Sequence, residues 1–334
     1  MDSIDEIIEE IVNSSVPSIL STVIHVEGSA YRKEGTAMLF LEDGQQFGVI
    51  SAGCLENDLA IHAEKFLTKD SFNSTIIIYD MSAEDDLSWG RGAGCNGKVH
   101  ILLEKVTPKM RYQFRILRQY LIQNMPVKFI RILHNETVKQ TTFLTNDRQY
   151  FGDKIQGLPS KINDKNKSSF TYIDEIKAEA FIQYFQPRPR LIVFGAGIDV
   201  RPLATIAVKI GFSVTVWDWR PNNCQPTYFP NATILQNKSV NQLIDTLHFT
   251  DQDSAIIMTH DFQKDKEILH LLLKKRPLNY LGILGPRKRT MRLLNGDSIP
   301  DALHSPVGLA IGAEGPHEIA ISIIADLIKT LRLS

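Results

Sequence analysis

Two stretches of the sequence set a lone cysteine among glycines. One is Gly48-Val49-Ile50-Ser51-Ala52-Gly53-Cys54-Leu55-Glu56; the other is Gly90-Arg91-Gly92-Ala93-Gly94-Cys95-Asn96-Gly97. A thiolate is both a nucleophile and a ligand for soft metals, and small neighbours leave backbone N–H groups open to a bulky ligand. Cys54 stands just ahead of CLENDLAIHAEKFL, whose Leu55, Leu59, Ala63 and Phe66 fall at helical spacing. The positive end of that helix is expected to favour thiolate. Such a thiol can bind a soft metal centre or carry a persulfide. Taken alone, a glycine-flanked cysteine is more often a small core residue; two of them in one domain shift the balance toward chemistry. The third cysteine, Cys224 in PNNCQP, is expected to be incidental. With three cysteines and no CxxC pair, neither a disulfide framework nor a structural zinc site is expected.

A second set of chemistry-bearing residues follows short apolar runs in the C-terminal half. After Leu191–Phe194 comes Gly195-Ala196-Gly197-Ile198-Asp199-Val200. The first two glycines fit the dinucleotide fingerprint, one for the tight turn and one for close approach of a phosphate to a helix N-terminus, while Val200 replaces the third. Asp218 lies about 20 residues on, where an acidic residue meets a ribose hydroxyl in that fingerprint. His260-Asp261 and Gly285-Pro286-Arg287-Lys288-Arg289 follow two later runs. Open α/β sheets bind ligands at such strand ends, so His260 is a candidate acid–base group or anion ligand, and Arg287 with Arg289 a candidate phosphate clamp. Each has a plainer reading too: a tight turn, a hydrogen-bonded histidine, a solvated basic face.

These residues need elements to hold them. Leu20–Val26, Ala37–Leu41, Phe47–Ile50, Thr75–Tyr79 and Val99–Leu103 read as strands, and Ile4–Val12 as a helix, so the first ~105 residues form an α+β unit. Tyr112–Gln123 reads as an amphipathic helix, 127–151 as a hairpin and 157–169 as a loop, and the prolines of QPRPR mark a boundary near residue 187. Beyond it, Leu191–Phe194, Ser213–Trp217, Thr233–Gln236, Ala255–Thr259 and Tyr280–Leu284 alternate with helical patterns, which implies a Rossmann-type parallel sheet. Pro316–Leu331 is a closing helix. No internal repeat is visible. The expected organisation is an N-terminal domain over 1–107, a connecting region over 108–187 and a Rossmann-type domain over 188–334. The fold class is therefore α/β, an N-terminal α+β domain followed by a parallel-sheet domain.

Bulk properties narrow the function. The 334 residues include 43% hydrophobic and 22% charged side chains, enough for full cores without staples. A net charge of -1 argues against nucleic-acid or membrane-surface binding. The acidic N-terminus lacks the basic start and apolar run of a secretory signal, so the cytoplasm is the expected compartment.

The sequence also resembles the XdhC/CoxI proteins, accessory factors for molybdenum hydroxylases of the xanthine dehydrogenase type. Gly28-Ser29-Ala30 with Gly35 and Met38 match one block; Gly48, Ser51, Gly53, Cys54 and Glu56 match a second, and Gly94-Cys95 with Gly97 a third. Gly195-Ala196-Gly197, Asp218, His260-Asp261 with Asp265, Gly285 with Arg287, and the run from His304 to Leu309, Ile311-Gly312-Ala313 and Glu318-Ile319-Ala320 follow in order. Tyr31, Ala52 and Asn96 stand where the family usually has proline, glycine and glycine. The resemblance implies a chaperone that binds molybdenum cofactor (molybdopterin), assists its sulfuration and inserts it into an apo xanthine dehydrogenase-type hydroxylase of purine metabolism. A cysteine desulfurase is an implied partner, and a homodimer the implied assembly. Cys54 is then the first choice for the thiol at molybdenum and Cys95 the second. Gly53, Glu56, Gly94, Gly195, Gly197, Asp218, His260, Asp261, Gly285 and Arg287 are the further cofactor-binding candidates. Two other readings stand beside it: an NAD(P)- or flavin-dependent oxidoreductase, or redox subunit, using the Rossmann crevice, and a docking partner without chemistry of its own.

Overall fold

Ile7, Ile8 and Ile11 recur at helical spacing and are fully or almost fully buried, which fixes the inner face of the first helix, α1 (Asp2–Asn13). A computed structural model describes all residues except 1, 52, 70–72, 82–95, 160–161, 163–165, 237–238, 275–277 and 334. The chain divides into two units, residues 1–187 and 188–334.

In the first unit, α1 is followed by β1 (Ser18–Ser29), β2 (Ala37–Leu41), β3 (Gln46–Gly48), α2 (Glu56–Leu67), β4 (Ser74–Asp80) and β5 (Asn96–Lys105). Then come α3 (Pro108–Ile122), β6 (Val127–His134), β7 (Thr137–Thr145), β8 (Tyr150–Gly152), β9 (Ser169–Ile173) and β10 (Ala178–Phe185). Thr107 caps α3 by accepting a hydrogen bond from the Met110 N–H at 3.2 Å, with Pro108 in the first turn.

The strands form two antiparallel sheets of the same topology: β3-β2-β1-β5-β4 and β8-β7-β6-β10-β9. This corrects the expectation that no internal repeat exists. The register repeats as well. Leu39 pairs with Phe47 as Phe143 pairs with Phe151, and Met38 with Gly48 as Thr142 with Gly152. Both hairpins carry an Asp-x-Gln-x-Phe-Gly segment, Asp43–Gly48 and Asp147–Gly152, and both end on a glycine whose added Cβ would strike a carbonyl of the neighbouring strand. The repeat escapes a reading of the sequence because this short segment alone keeps its trace, while the rest shares no more than a burial pattern.

The two sheets share one core. Leu20, Leu39, Phe129 and Phe143 pack with α1 and α3, and Ile24, Leu102, Leu133 and Phe181 form a second cluster. Within this unit lies a buried ion pair. Arg131 on β6 meets Glu104 on β5 at 2.7 Å and donates to Gln183 on β10 at 2.9 Å. Gln183 in turn donates to the Gly35 carbonyl at 2.9 Å. Glu104 and Gln183 are equivalent positions: each pairs with the residue, Leu20 or Phe129, that pairs with Leu39 or Phe143. Burial pushes the Glu104 carboxyl up and the Arg131 guanidinium down, each against the pull of its partner.

The second unit contains β11 (Arg190–Phe194), α4 (Val200–Lys209), β12 (Ser213–Trp217), β13 (Thr233–Leu235), α5 (Val240–Leu247) and β14 (Ser254–Ile257). It continues with α6 (Phe262–Lys274), β15 (Tyr280–Ile283), α7 (Arg287–Leu293), β16 (Leu303–His304) and α8 (Gly315–Leu333). All strands are parallel, in the order β13-β12-β11-β14-β15-β16. This is the Rossmann order, whose direction reverses between β11 and β14. One face carries α4 and α8, through Leu203, Ala207, Ile323 and Leu327; the other carries α5, α6 and α7, through Leu243, Ile268 and Leu293. Strand β16 is too short to stand out in the sequence. No helix among the described residues is long and apolar enough to cross a membrane.

Removing one member of a buried ion pair leaves a charge without compensation and costs about 3–5 kcal/mol, whereas apolar replacement of both is often near neutral. Arg131→Met is therefore expected to lower the stability of the first unit by about that amount, and Arg131→Met with Glu104→Leu to restore most of it, as read by urea unfolding.

Candidate functional site

Cys54 is exposed and sits two residues before the start of α2. The loop that carries it is fixed by Ser51. The Ser51 hydroxyl oxygen accepts from the N–H groups of Gly53, Cys54 and Leu55 at 3.2, 3.0 and 3.1 Å. The hydroxyl itself donates to Glu56, whose carboxylate also accepts from the Ser51 N–H at 2.6 Å and the Leu55 N–H at 3.2 Å. This corrects the expectation of open backbone N–H groups around the thiol, since the protein's own hydroxyl and carboxylate already fill that nest. Glu56, expected among the cofactor-binding residues, braces the loop. Burial raises its carboxyl pKa, but the hydrogen bonds from Ser51 and the backbone outweigh this and hold it below the ordinary value.

Cys54 lies at a small hollow of about 50 Å³, lined by Val23, Tyr31, Ile50, Leu55, Met81 and Val99 among others. Organic cofactors occupy pockets of about 300–1,000 Å³, well above the volume of this hollow. Tyr31 is exposed beside it, with the Arg32 guanidinium 5.3 Å from its ring centroid. Gly94 and Cys95 fall outside the described residues; Cys95 directly precedes Asn96, the first residue of β5, which pairs with Ser29 of β1. Cys224 is fully buried and its thiol is pushed up to about 11, first by burial and then by the Asp218 charge, so it is an inert core group.

In the second unit the expected residues gather at the carboxyl ends of β11, β12, β14 and β15. Gly195 has φ 124°, and a Cβ there would strike the Met258 carbonyl just past the end of β14, which explains the residue. Asp218 differs from expectation. It is fully buried, with Oδ2 accepting from the Ala196 N–H at 2.8 Å and from Arg220 Nη2 at 2.8 Å, and Oδ1 accepting from Arg220 Nε at 2.9 Å. Burial raises its pKa, yet these bonds outweigh that and hold it low. Through these bonds it locks the glycine turn. Asp261 caps α6 by accepting from the Lys264 N–H at 2.8 Å. Arg289 is engaged within the protein: it bonds Asp265 at 2.6 Å, and that buried carboxylate also binds Thr259. Arg287, after Gly285, is exposed and donates to the Ser305 carbonyl at 3.1 Å. His260 is exposed and pairs with Asp199 at 2.7 Å. Sequence reasoning passed over Asp199 and Arg220; the only cue was an acidic residue inside the fingerprint itself. Among the described residues no group of three or more His, Cys, Asp or Glu could hold a metal ion.

Comparison with known proteins fits this architecture. Family patterns described as the XdhC and CoxI family, the BH1974-like central domain and the XdhC Rossmann domain match residues 12–77, 108–186 and 191–327. A Bacillus subtilis (strain 168) protein, described as a probable subunit of xanthine dehydrogenase, is 38% identical over 99% of this chain and 98% of its own. The chain belongs to the XdhC/CoxI family. A Bacillus halodurans crystal structure described as a xanthine dehydrogenase (BH1974) is similar in fold, with TM-score 0.86 and 44% identity over 98% of this chain and 95% of that one. The molybdenum cofactor insertion chaperone PaoD of Escherichia coli (strain K12) is 21% identical over 97% of this chain and 86% of its own. In family terms, the glycine–cysteine block is the Ser51-braced loop, and the central domain is the second copy of the five-stranded sheet.

Because the Glu56 pKa is lowered by folding, its contribution is complete above the ordinary value of 4.5 and is lost as pH falls through the lower folded value. Wild type is expected to lose more stability than Glu56→Gln between about pH 6 and acid conditions, as read by denaturant melts. Ser51→Ala removes the shared acceptor, so amide exchange at Gly53, Cys54 and Leu55 is expected to accelerate while the α2 core stays protected.

Proposed function

We propose that this protein handles molybdenum cofactor for a hydroxylase of the xanthine dehydrogenase type: it binds the cofactor, assists its sulfuration and passes it to the apo-enzyme. The observation that carries the proposal is the exposed Cys54 thiol, held on a loop whose N–H groups at Ser51, Gly53, Cys54 and Leu55 are bound by the Ser51 and Glu56 side chains. A thiol on a rigid support at an open apolar mouth suits a bulky cargo bearing a soft metal centre, because the ligand is presented without reorganisation. The same thiol suits transient carriage of sulfur, which needs access from solvent for a donor such as a cysteine desulfurase. The cofactor-insertion role of PaoD supports the reading by relationship. Cys95 is the second thiol, kept on sequence grounds. A homodimer that works in the cytoplasm completes the proposal.

The competing oxidoreductase reading depends on a nucleotide in the Rossmann crevice. There Asp218 is inward and bonded to Arg220, and Arg289 is bonded to Asp265. Neither is available to a nucleotide in this arrangement.

The test is retention. Wild type, Cys54→Ala and Cys95→Ala are incubated anaerobically with intact molybdenum cofactor and desalted, and molybdenum and pterin are measured. Wild type is expected to retain both and Cys54→Ala to lose most of both. No retention by any of the three, under conditions where a known binder keeps the cofactor, contradicts the proposal.

A further inference from the structure

A parallel sheet with this strand order ordinarily takes a dinucleotide at the switch point. The pyrophosphate rests on the N-terminus of the first helix, in space left by the second glycine. Here that space is filled from within. A Cβ on Gly197 would lie 2.5 Å from Oδ1 of Asp199, so the carboxylate stands where the missing side chain leaves room. Asp199 immediately precedes α4, yet its side chain makes no capping hydrogen bond to that helix. Its Oδ2 instead meets Nε2 of His260 at 2.7 Å, joining the loops after β11 and β14 across the switch point. His260 adopts a left-handed backbone, φ 62°, an uncommon state for a residue other than glycine. The second nucleotide determinant is diverted too, since both oxygens of Asp218 are taken by Ala196 and Arg220.

We infer that the switch-point crevice is closed to dinucleotides and that Asp199, held by His260, is the residue that closes it. The Asp199 carboxylate stands beside the N-terminus of α4, where a pyrophosphate would approach. An incoming pyrophosphate meets a like charge at close range. The glycine turn thus keeps the shape of the fingerprint while its charge is reversed. The closure concerns the second unit alone and is read with different ligands, so it stands or falls apart from the handling of molybdenum cofactor.

The test titrates the full-length chain with NADH and with ADP-ribose by calorimetry. Wild type is expected to show no saturable binding below about 1 mM. Asp199→Asn keeps the side-chain volume and removes the charge, and is expected to bind at least about tenfold more tightly. Asp199→Gly, which also opens the space, is the second variant, and thermal melts establish that both are folded. A gain in either variant over a non-binding wild type supports the inference. Binding of NADH by wild type below about 1 mM, or folded variants that both gain nothing, overturns it.

Discussion

The ion pair between Arg131 and Glu104 is the constraint around which the first unit is built. Two fully desolvated charges are tolerable inside a protein only where each finds the other at close range and neighbouring polar groups complete the geometry. Arg131 lies 2.7 Å from Glu104 and 2.9 Å from Gln183, and its guanidinium sits 4.0 Å from the Phe129 ring centroid. These contacts bind β5 of one sheet to β6 and β10 of the other, and through Gly35 they reach the connection between β1 and β2. These contacts tie the two sheets together at their shared core.

The duplicated topology shows where the two halves diverge. After β3 the chain makes the Ser51–Glu56 loop and α2, whose Leu55, Leu59, Ala63 and Phe66 cover one face of the first sheet. After β8 the matching connection covers the second sheet with Ile155, Leu158 and Ile162 and no helix among its described residues. Both connections meet the same demand, to bury an apolar sheet face. Only the first also presents a thiol to solvent. The exposed thiol thus belongs to one copy of a repeated scaffold.

Much of the second unit was legible from sequence because parallel strands buried on both faces appear as short apolar runs, and Leu191–Phe194, Ser213–Trp217 and Tyr280–Leu284 did so. Strand β16 did not, since two residues carry no pattern. The internal repeat stayed hidden because strands specify burial, not identity. Leu20 and Phe129 fill equivalent places with different side chains, and so do Glu104 and Gln183. Cys54 was visible through its glycines, but the role of its neighbours was not. Type alone cannot distinguish a serine that leaves backbone groups open from one that closes them. Asp199 was equally opaque: a carboxylate within a phosphate-binding pattern gains meaning only once His260, 61 positions away, is seen to hold it.

The hydrogen-bonded loop, on this account, exists to hold the Cys54 sulfur in an open position where a soft metal can reach it. The most direct measurement is molybdenum K-edge X-ray absorption on anaerobically loaded wild type and Cys54→Ser. The account predicts a sulfur scatterer at bonding distance in wild type that is absent, or replaced by oxygen, in the variant. Identical spectra for the two loaded proteins would contradict it, and would show that the cofactor is held without this thiol.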